Sequence, residues 1–200
     1  MDSKEILKDL ISFNMIDDKE NEKTINYIET YLKNLGFKTE YKSKCLIMIN
    51  SDNCNIWFLG HTDTVSYSND WTFNPLKLTE KDGKLYGLGT CDMKEFISAL
   101  LSAISKIDFN KKGIKVFFTY DEEKKFSGIK ELVDRNITFP NYMLIGEPTN
   151  NEILNGSKGL LDIKITFKGT TLHASISTEG INAKEKCIAF INNLKHIIGF

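Results

Sequence analysis

The chain has 200 residues, 41% of them hydrophobic and 26% charged, with a formal net charge of −1. That is room for one full domain and part of a second, in the composition of an ordinary globular protein. The charge balance excludes a global field that would draw the chain to nucleic acid or anionic membrane, and no run reaches the ~20 apolar residues a bilayer span needs.

The start, Met-Asp-Ser-Lys-Glu, is polar and charged, unlike a secretory leader, so the cytoplasm is the expected compartment. Ile6, Leu7, Leu10 and Ile11 then have helical spacing, with Ser3 as the predicted cap. A second stripe, Ile25, Ile28, Leu32 and Leu35, stops at Gly36. Short strands are predicted at residues 37–41 and 45–49, followed by a strand at 55–59, a helix near 94–107, a strand at 114–119, a helix near 127–133 and a strand at 142–145. Nearly continuous apolar strands alternating with helices predict an α/β fold, a mostly parallel mixed sheet flanked by helices.

From about Gly159 the texture changes. Leu161, Ile163, Ile165 and Phe167 alternate with Asp162, Lys164, Thr166 and Lys168, the period of a strand with one wet face. A helix from about Asn182 carries Ala183, Ile188, Ile191 and Leu194 on or near its apolar stripe. A strand and a helix make half of a small α+β unit, with an unpaired edge and an unfilled core. The four cysteines, Cys45, Cys54, Cys91 and Cys187, include no Cys-x-x-Cys pair, which argues against a zinc knuckle or a disulfide framework.

The chemistry-bearing residues follow the apolar strands. Residues 55–59 lead into Gly60-His61-Thr62-Asp63-Thr64, residues 114–119 into Tyr120-Asp121-Glu122-Glu123, and residues 142–145 into Gly146-Glu147-Pro148-Thr149. Sites in open α/β sheets form outside the carboxyl ends of strands, so these clusters belong on one rim. Asp92 opens the helix containing Phe96, Ile97, Leu100 and Leu101. Taken singly each piece has an ordinary explanation: a surface hydrogen bond for His-x-Asp, a solvated loop for Asp-Glu-Glu, a turn for Gly-Glu-Pro and a helix cap for Asp92. Together, His61, Asp92, Glu123 and Glu147 converge, and carboxylates crowd only where a cation or proton relieves them. Imidazole mixed with carboxylate suits zinc, cobalt or manganese better than calcium or magnesium. Asp63 is placed to accept the His61 ring N–H that a metal does not use, and Glu122 to act as general base on water.

The order of these pieces resembles the metal-dependent aminoacylase and carboxypeptidase family, and most of all its branch that deacetylates N-acetylornithine. The resemblance is carried by Gly60-His61-Thr62-Asp63-Thr64-Val65, Trp71, the run from Leu85 to Lys94, Thr119 to Glu123, Ile145 to Thr149, Lys158-Gly159, Lys168-Gly169, His173-Ala174-Ser175 and Gly180 to Ala183. It implies a zinc-peptidase-like catalytic domain over residues 1–157 and a partial lid and dimerisation domain over 158–200. Asp92 would bridge two ions of Zn2+ or Co2+, His61 and Glu147 would complete the shell of one, and Glu123 would bind the other. Glu122 would be the general base, Asp63 would orient His61, and His173 would reach from the lid to the oxyanion. His196 reads as an ordinary helix-surface residue.

The implied substrate is a small N-acyl amino acid, N-acetylornithine giving ornithine and acetate in arginine biosynthesis. Succinyl-diaminopimelate desuccinylases and dipeptidases share the same metal motifs. Family members continue beyond this length, finishing the lid and returning to the catalytic domain with a last histidine for the ion held by Glu123. The chain is therefore also read as a silent remnant, or as half of a split enzyme with a complementary C-terminal fragment, besides a homodimer formed through the lid. Ser66 stands where that family usually has proline, Glu95 where it has glycine, and Lys124-Lys125 where it has smaller residues. Glu95 adds bulk and negative charge beside Asp92, which predicts weaker metal placement.

Overall fold

The computed structural model describes residues 2–15, 18–107, 113–171, 173 and 180–199. Helix α1 (Ser3–Ser12) begins one residue earlier than expected: Asp2 is the N-cap, and its N–H donates to Glu5 Oε2 at 3.4 Å. Helix α2 (Asp18–Asn34) closes at Gly36, whose φ of 87° is the left-handed conformation that helix ends favour. Two short strands, β1 (Lys38–Lys42) and β2 (Leu46–Ile49), precede the long β3 (Cys54–His61). A hairpin of β4 (Thr79–Lys81) and β5 (Lys84–Tyr86) leads to helix α3 (Lys94–Ile104). Then come β6 (Gly113–Thr119), α4 (Ser127–Asp134), β7 (Leu144–Ile145) and α5 (Ala183–Ile198).

The main sheet has the order β1-β2-β6-β3-β7. β1 with β2 and β2 with β6 are antiparallel, while β6 with β3 and β3 with β7 are parallel. The sheet is thus mixed, with its parallel part centred on β3. Strand β2 is buried on both faces, and its alternation assigns each face a cluster. Leu46 and Met48 join Val116 and Phe118 against the apolar stripes of α1, α2 and α3, including Ile6, Leu10, Ile28, Leu32, Ile97 and Leu101. Ile47 and Phe117 face the other way, onto Cys45 and Leu132 of α4. Each such fully buried aliphatic side chain contributes about 1.5–3 kcal/mol relative to exposure, which is why the helices lie where their stripes find the sheet.

The β4–β5 hairpin was not among the expected elements, although Asp82-Gly83 encodes it. Lys81 pairs with Lys84, leaving a two-residue loop in which both residues have positive φ, 51° and 71°, the turn for which Asp-Gly is preferred. The expected strand over residues 161–167 is absent. Among the described residues beyond 153 no strand forms, and Leu161 and Ile163 are 79% and 65% exposed. Period-two alternation specifies a face, but a strand also needs a neighbour for its N–H and C=O groups, and none is there. Helix α5 does form, with the Asn182 side chain accepting from the Lys184 N–H and Gly199 left-handed at its end, and His196 is exposed in its last turn.

The chain divides into two compact units, Met1–Ile153 and Leu154–Phe200. Among the described residues no helix is long and apolar enough to cross a membrane. All four cysteines are free thiols.

Candidate metal centre

The registers of three parallel strands build the rim. Gly60 pairs with Phe118 and His61 with Thr119 across β3 and β6, while Leu59 pairs with Ile145 across β3 and β7. The carboxyl ends are therefore level, and the residues that follow all emerge on one edge. The ladder extends one step beyond His61, because the Thr62 N–H donates to the Thr119 carbonyl at 2.9 Å.

His61 is only 1% exposed, and both ring nitrogens are engaged. Nδ1 lies 3.0 Å from the Asp63 backbone carbonyl and 3.5 Å from Asp63 Oδ1. Nδ1 is turned to these acceptors, and Nε2 faces the site. There, Asp92 Oδ1 lies at 3.0 Å, Glu122 Oε2 at 3.9 Å and Glu147 Oε1 at 4.0 Å. Burial alone would lower the His61 imidazole, but the Asp63 hydrogen bond and the charges of Asp63, Glu147 and Asp92 outweigh it and push it up to about 9. The same bonds act in reverse on Asp63: burial favours its neutral form, yet the hydrogen bonds from His61, Glu122 and Glu123 hold its carboxyl below the usual range.

The Asp-Glu-Glu loop is turned by Asp121, which has a left-handed φ of 59°, a conformation aspartate tolerates better than most residues. Ser127 Oγ donates to Asp121 Oδ2 and fixes the turn. As a result the N–H groups of Glu122 and Glu123 donate to the two oxygens of Asp63, at 3.1 and 3.2 Å.

The capping explanation of Asp92 fails. The N-cap of α3 is Met93, with no side-chain cap bond, and Asp92 spends its carboxylate on His61. Its segment is held from behind by Lys94, whose side chain is 1% exposed and whose Nζ donates to the Phe13 carbonyl at 3.2 Å. Burial pushes that amine down to about 8. No local pattern marks this anchor, which joins residues far apart in the chain. Glu147 follows Gly146, where a Cβ would stand 1.9 Å from Phe96 Cγ. Only glycine lets β7 pass the ring and deliver Glu147 to the rim.

One ligand atom each from His61, Asp92 and Glu123 lie within 4.8 Å of one another. Burial first, and neighbouring acids with it, raises the carboxyls of Glu122, Glu123 and Glu147. Glu95 is pushed up to about 7 by burial, with the charges of Asp92 and Glu147 adding to it. Carboxyls that resist ionising around one imidazole form a donor set short of positive charge, and a divalent cation fits it in both charge and ligand type. Of the residues expected here, His61, Asp63, Asp92, Glu122, Glu123 and Glu147 come together in the first unit. His173 is exposed in the second unit, and Ala174 and Ser175 of its motif lie outside the described residues.

Residues 57–189 match peptidase family M20/M25/M40. The acetylornithine deacetylase of Pasteurella multocida is 35% identical over 179 residues, covering 84% of this chain and 47% of that protein. The one from Buchnera aphidicola is 34% identical over 197 residues, covering 90% and 52%. The chain spans about half the length of the curated relatives it matches. Among solved structures, a tripeptidase from Staphylococcus aureus superposes with a TM-score of 0.64 at 17% identity, over 95% of this chain and 55% of that one. A metallo-carboxypeptidase of the M20 family from Sulfolobus solfataricus gives 0.63 at 21%, over 73% and 37%. At these identities the two structures share the fold.

Proposed function

Since this chain belongs to peptidase family M20/M25/M40, we propose that it works as a metal-dependent hydrolase that removes the acyl group from an N-acyl amino acid, with N-acetylornithine, giving ornithine and acetate for arginine biosynthesis, as the substrate. The observation that carries this reading is the convergence of Asp92, Glu122 and Glu147 on His61 Nε2. The names of the relatives carry the choice of substrate.

His61, Asp92 and Glu147 are the residues to hold one ion of zinc or cobalt, and Asp92 with Glu123 those to hold a second. When bound, the cation supplies a Lewis acid that polarises the amide carbonyl and acidifies water. Asp63 keeps the proton on His61 Nδ1, so that Nε2 offers its lone pair to the site. With Glu123 as the ligand from the loop, the neighbouring Glu122, 3.9 Å from His61 Nε2, is the proposed carboxylate for proton transfer. It takes a proton from the attacking water as the carbonyl carbon gains its new oxygen. It returns that proton to the leaving nitrogen as the C–N bond breaks. A raised carboxyl suits both duties. His173 is the proposed donor to the oxyanion.

A second reading is favoured by β7, an edge strand whose Leu144 and Ile145 are 52% and 53% exposed. In that reading turnover needs a second copy of the chain or a complementary C-terminal segment. Metal content and N-acetylornithine hydrolysis, measured together on the purified chain with added zinc or cobalt, test both. Turnover by the chain alone supports the first reading. Metal bound without turnover supports the second, and turnover of a succinyl-diaminopimelate or a dipeptide in place of N-acetylornithine overturns the substrate.

A further inference from the structure

Glu95 lies in the first turn of α3, three residues after Asp92. Its carboxyl accepts hydrogen bonds from the N–H groups of its own residue and of Phe96, as acids do at helix starts. That accounts for only part of the group. Glu95 Oε2 is buried without a hydrogen-bond partner. The other charges that bear on it are Asp92 and Glu147, the very residues read above as ligands of one ion. A buried acceptor with no donor is costly, and like charges beside it increase that cost. A divalent cation between Asp92 and Glu147 reverses the balance of charge that the Glu95 carboxylate meets, because its two positive charges offset the like-charge repulsion.

We propose that Glu95 is a positioning residue of the metal centre, one that tightens the hold on the cation and at the same time makes the cation-free centre less stable. The inference rests on the metal reading above. It runs against the expectation that a bulky acid beside Asp92 weakens metal placement.

The test is Glu95→Gln, which keeps the shape and the helix-start acceptor but removes the charge, with Glu95→Ala as a second variant that retains helix propensity. Two quantities are read on the full chain: zinc affinity, by competition with a chromophoric chelator, and the melting temperature in excess chelator. Both variants are expected to bind zinc at least tenfold more weakly and to melt several degrees higher than the parent when no cation is present. A merely structural residue would not move the two in opposite senses, since its loss lowers the melting temperature. Unchanged affinity and unchanged cation-free melting, in a parent chain that binds zinc, overturn the role of Glu95. A parent that fails to bind zinc, or an Asp92→Asn variant that binds it as tightly as the parent, overturns the metal reading itself.

Discussion

Asp63 holds His61 and the Glu122–Glu123 pair at once: its backbone carbonyl lies 3.0 Å from His61 Nδ1, and its carboxylate takes the N–H groups of both glutamates. One residue thus orients the imidazole and fixes the position of the loop opposite.

Asp63→Ala removes the loop anchor and the charge behind the imidazole. Losing such a partner behind a ligand costs ~10–100-fold in metal affinity. Zinc affinity should fall by that order while far-ultraviolet circular dichroism stays native. Affinity equal to the parent's would mean that the Asp63 backbone carbonyl alone is enough to orient His61.

Glu122→Ala is expected to abolish hydrolysis and leave metal content nearly unchanged. General base catalysis is worth about 10²–10⁴-fold, so turnover should fall to background or close to it. Retained turnover moves the proton-transfer role to another residue. Loss of metal would make Glu122 a ligand.

Gly146→Ala drives a methyl into the Phe96 ring, where a Cβ would lie 1.9 Å from Cγ. Overpacking of this kind costs about 1–3 kcal/mol, and the displaced strand end carries Glu147 away from His61. The variant should lose both melting temperature and metal affinity, and Phe96→Leu in the same chain should restore part of each. A Gly146→Ala chain as stable as the parent would show that the ring moves aside freely.

Glu29 sets an acid limit on stability outside the centre. Burial alone would raise its carboxyl, but hydrogen bonds from Lys33, Lys42 and Thr39 outweigh that and hold it at about 2, against an ordinary 4.5. A depressed folded-state value means that this stabilisation is present above pH 4.5 and is lost as pH falls towards 2. It amounts to about 3 kcal/mol before screening at the lysines is discounted, and to less after. Glu29→Gln should lower stability at neutral pH and flatten its decline between those limits, read by urea unfolding at several pH values. A parallel decline in both proteins would assign the acid sensitivity elsewhere.

Much of the arrangement was legible because the signals were local. The stripes of α1, α2, α3 and α5, the strands that became β2, β3 and β6, and the placing of His61, Glu123 and Glu147 just after apolar runs all follow from spacing within a few residues. What escaped depends on partners that are distant in the chain or do not form among the described residues. The burial of Lys94 has no local signal, because the carbonyl that its Nζ meets belongs to Phe13. The alternation over residues 161–167 was read correctly as a pattern and incorrectly as a strand, because no neighbouring strand takes up its backbone. At Asp92 the ordinary alternative is what gives way: helix-start aspartates are usually caps, and here the carboxylate lies against His61 instead.

The level ends of β3, β6 and β7 also bear on the order in which the molecule forms. Strands β3 and β6 are neighbours in the sheet but not consecutive in the chain, and the crossover between them includes the β4–β5 hairpin and α3. Until β3 has docked on β6, His61 and Glu123 are held apart by a long loop whose closure must come first. A cation held by these residues is therefore expected to bind the assembled sheet, and to slow unfolding more than it speeds folding.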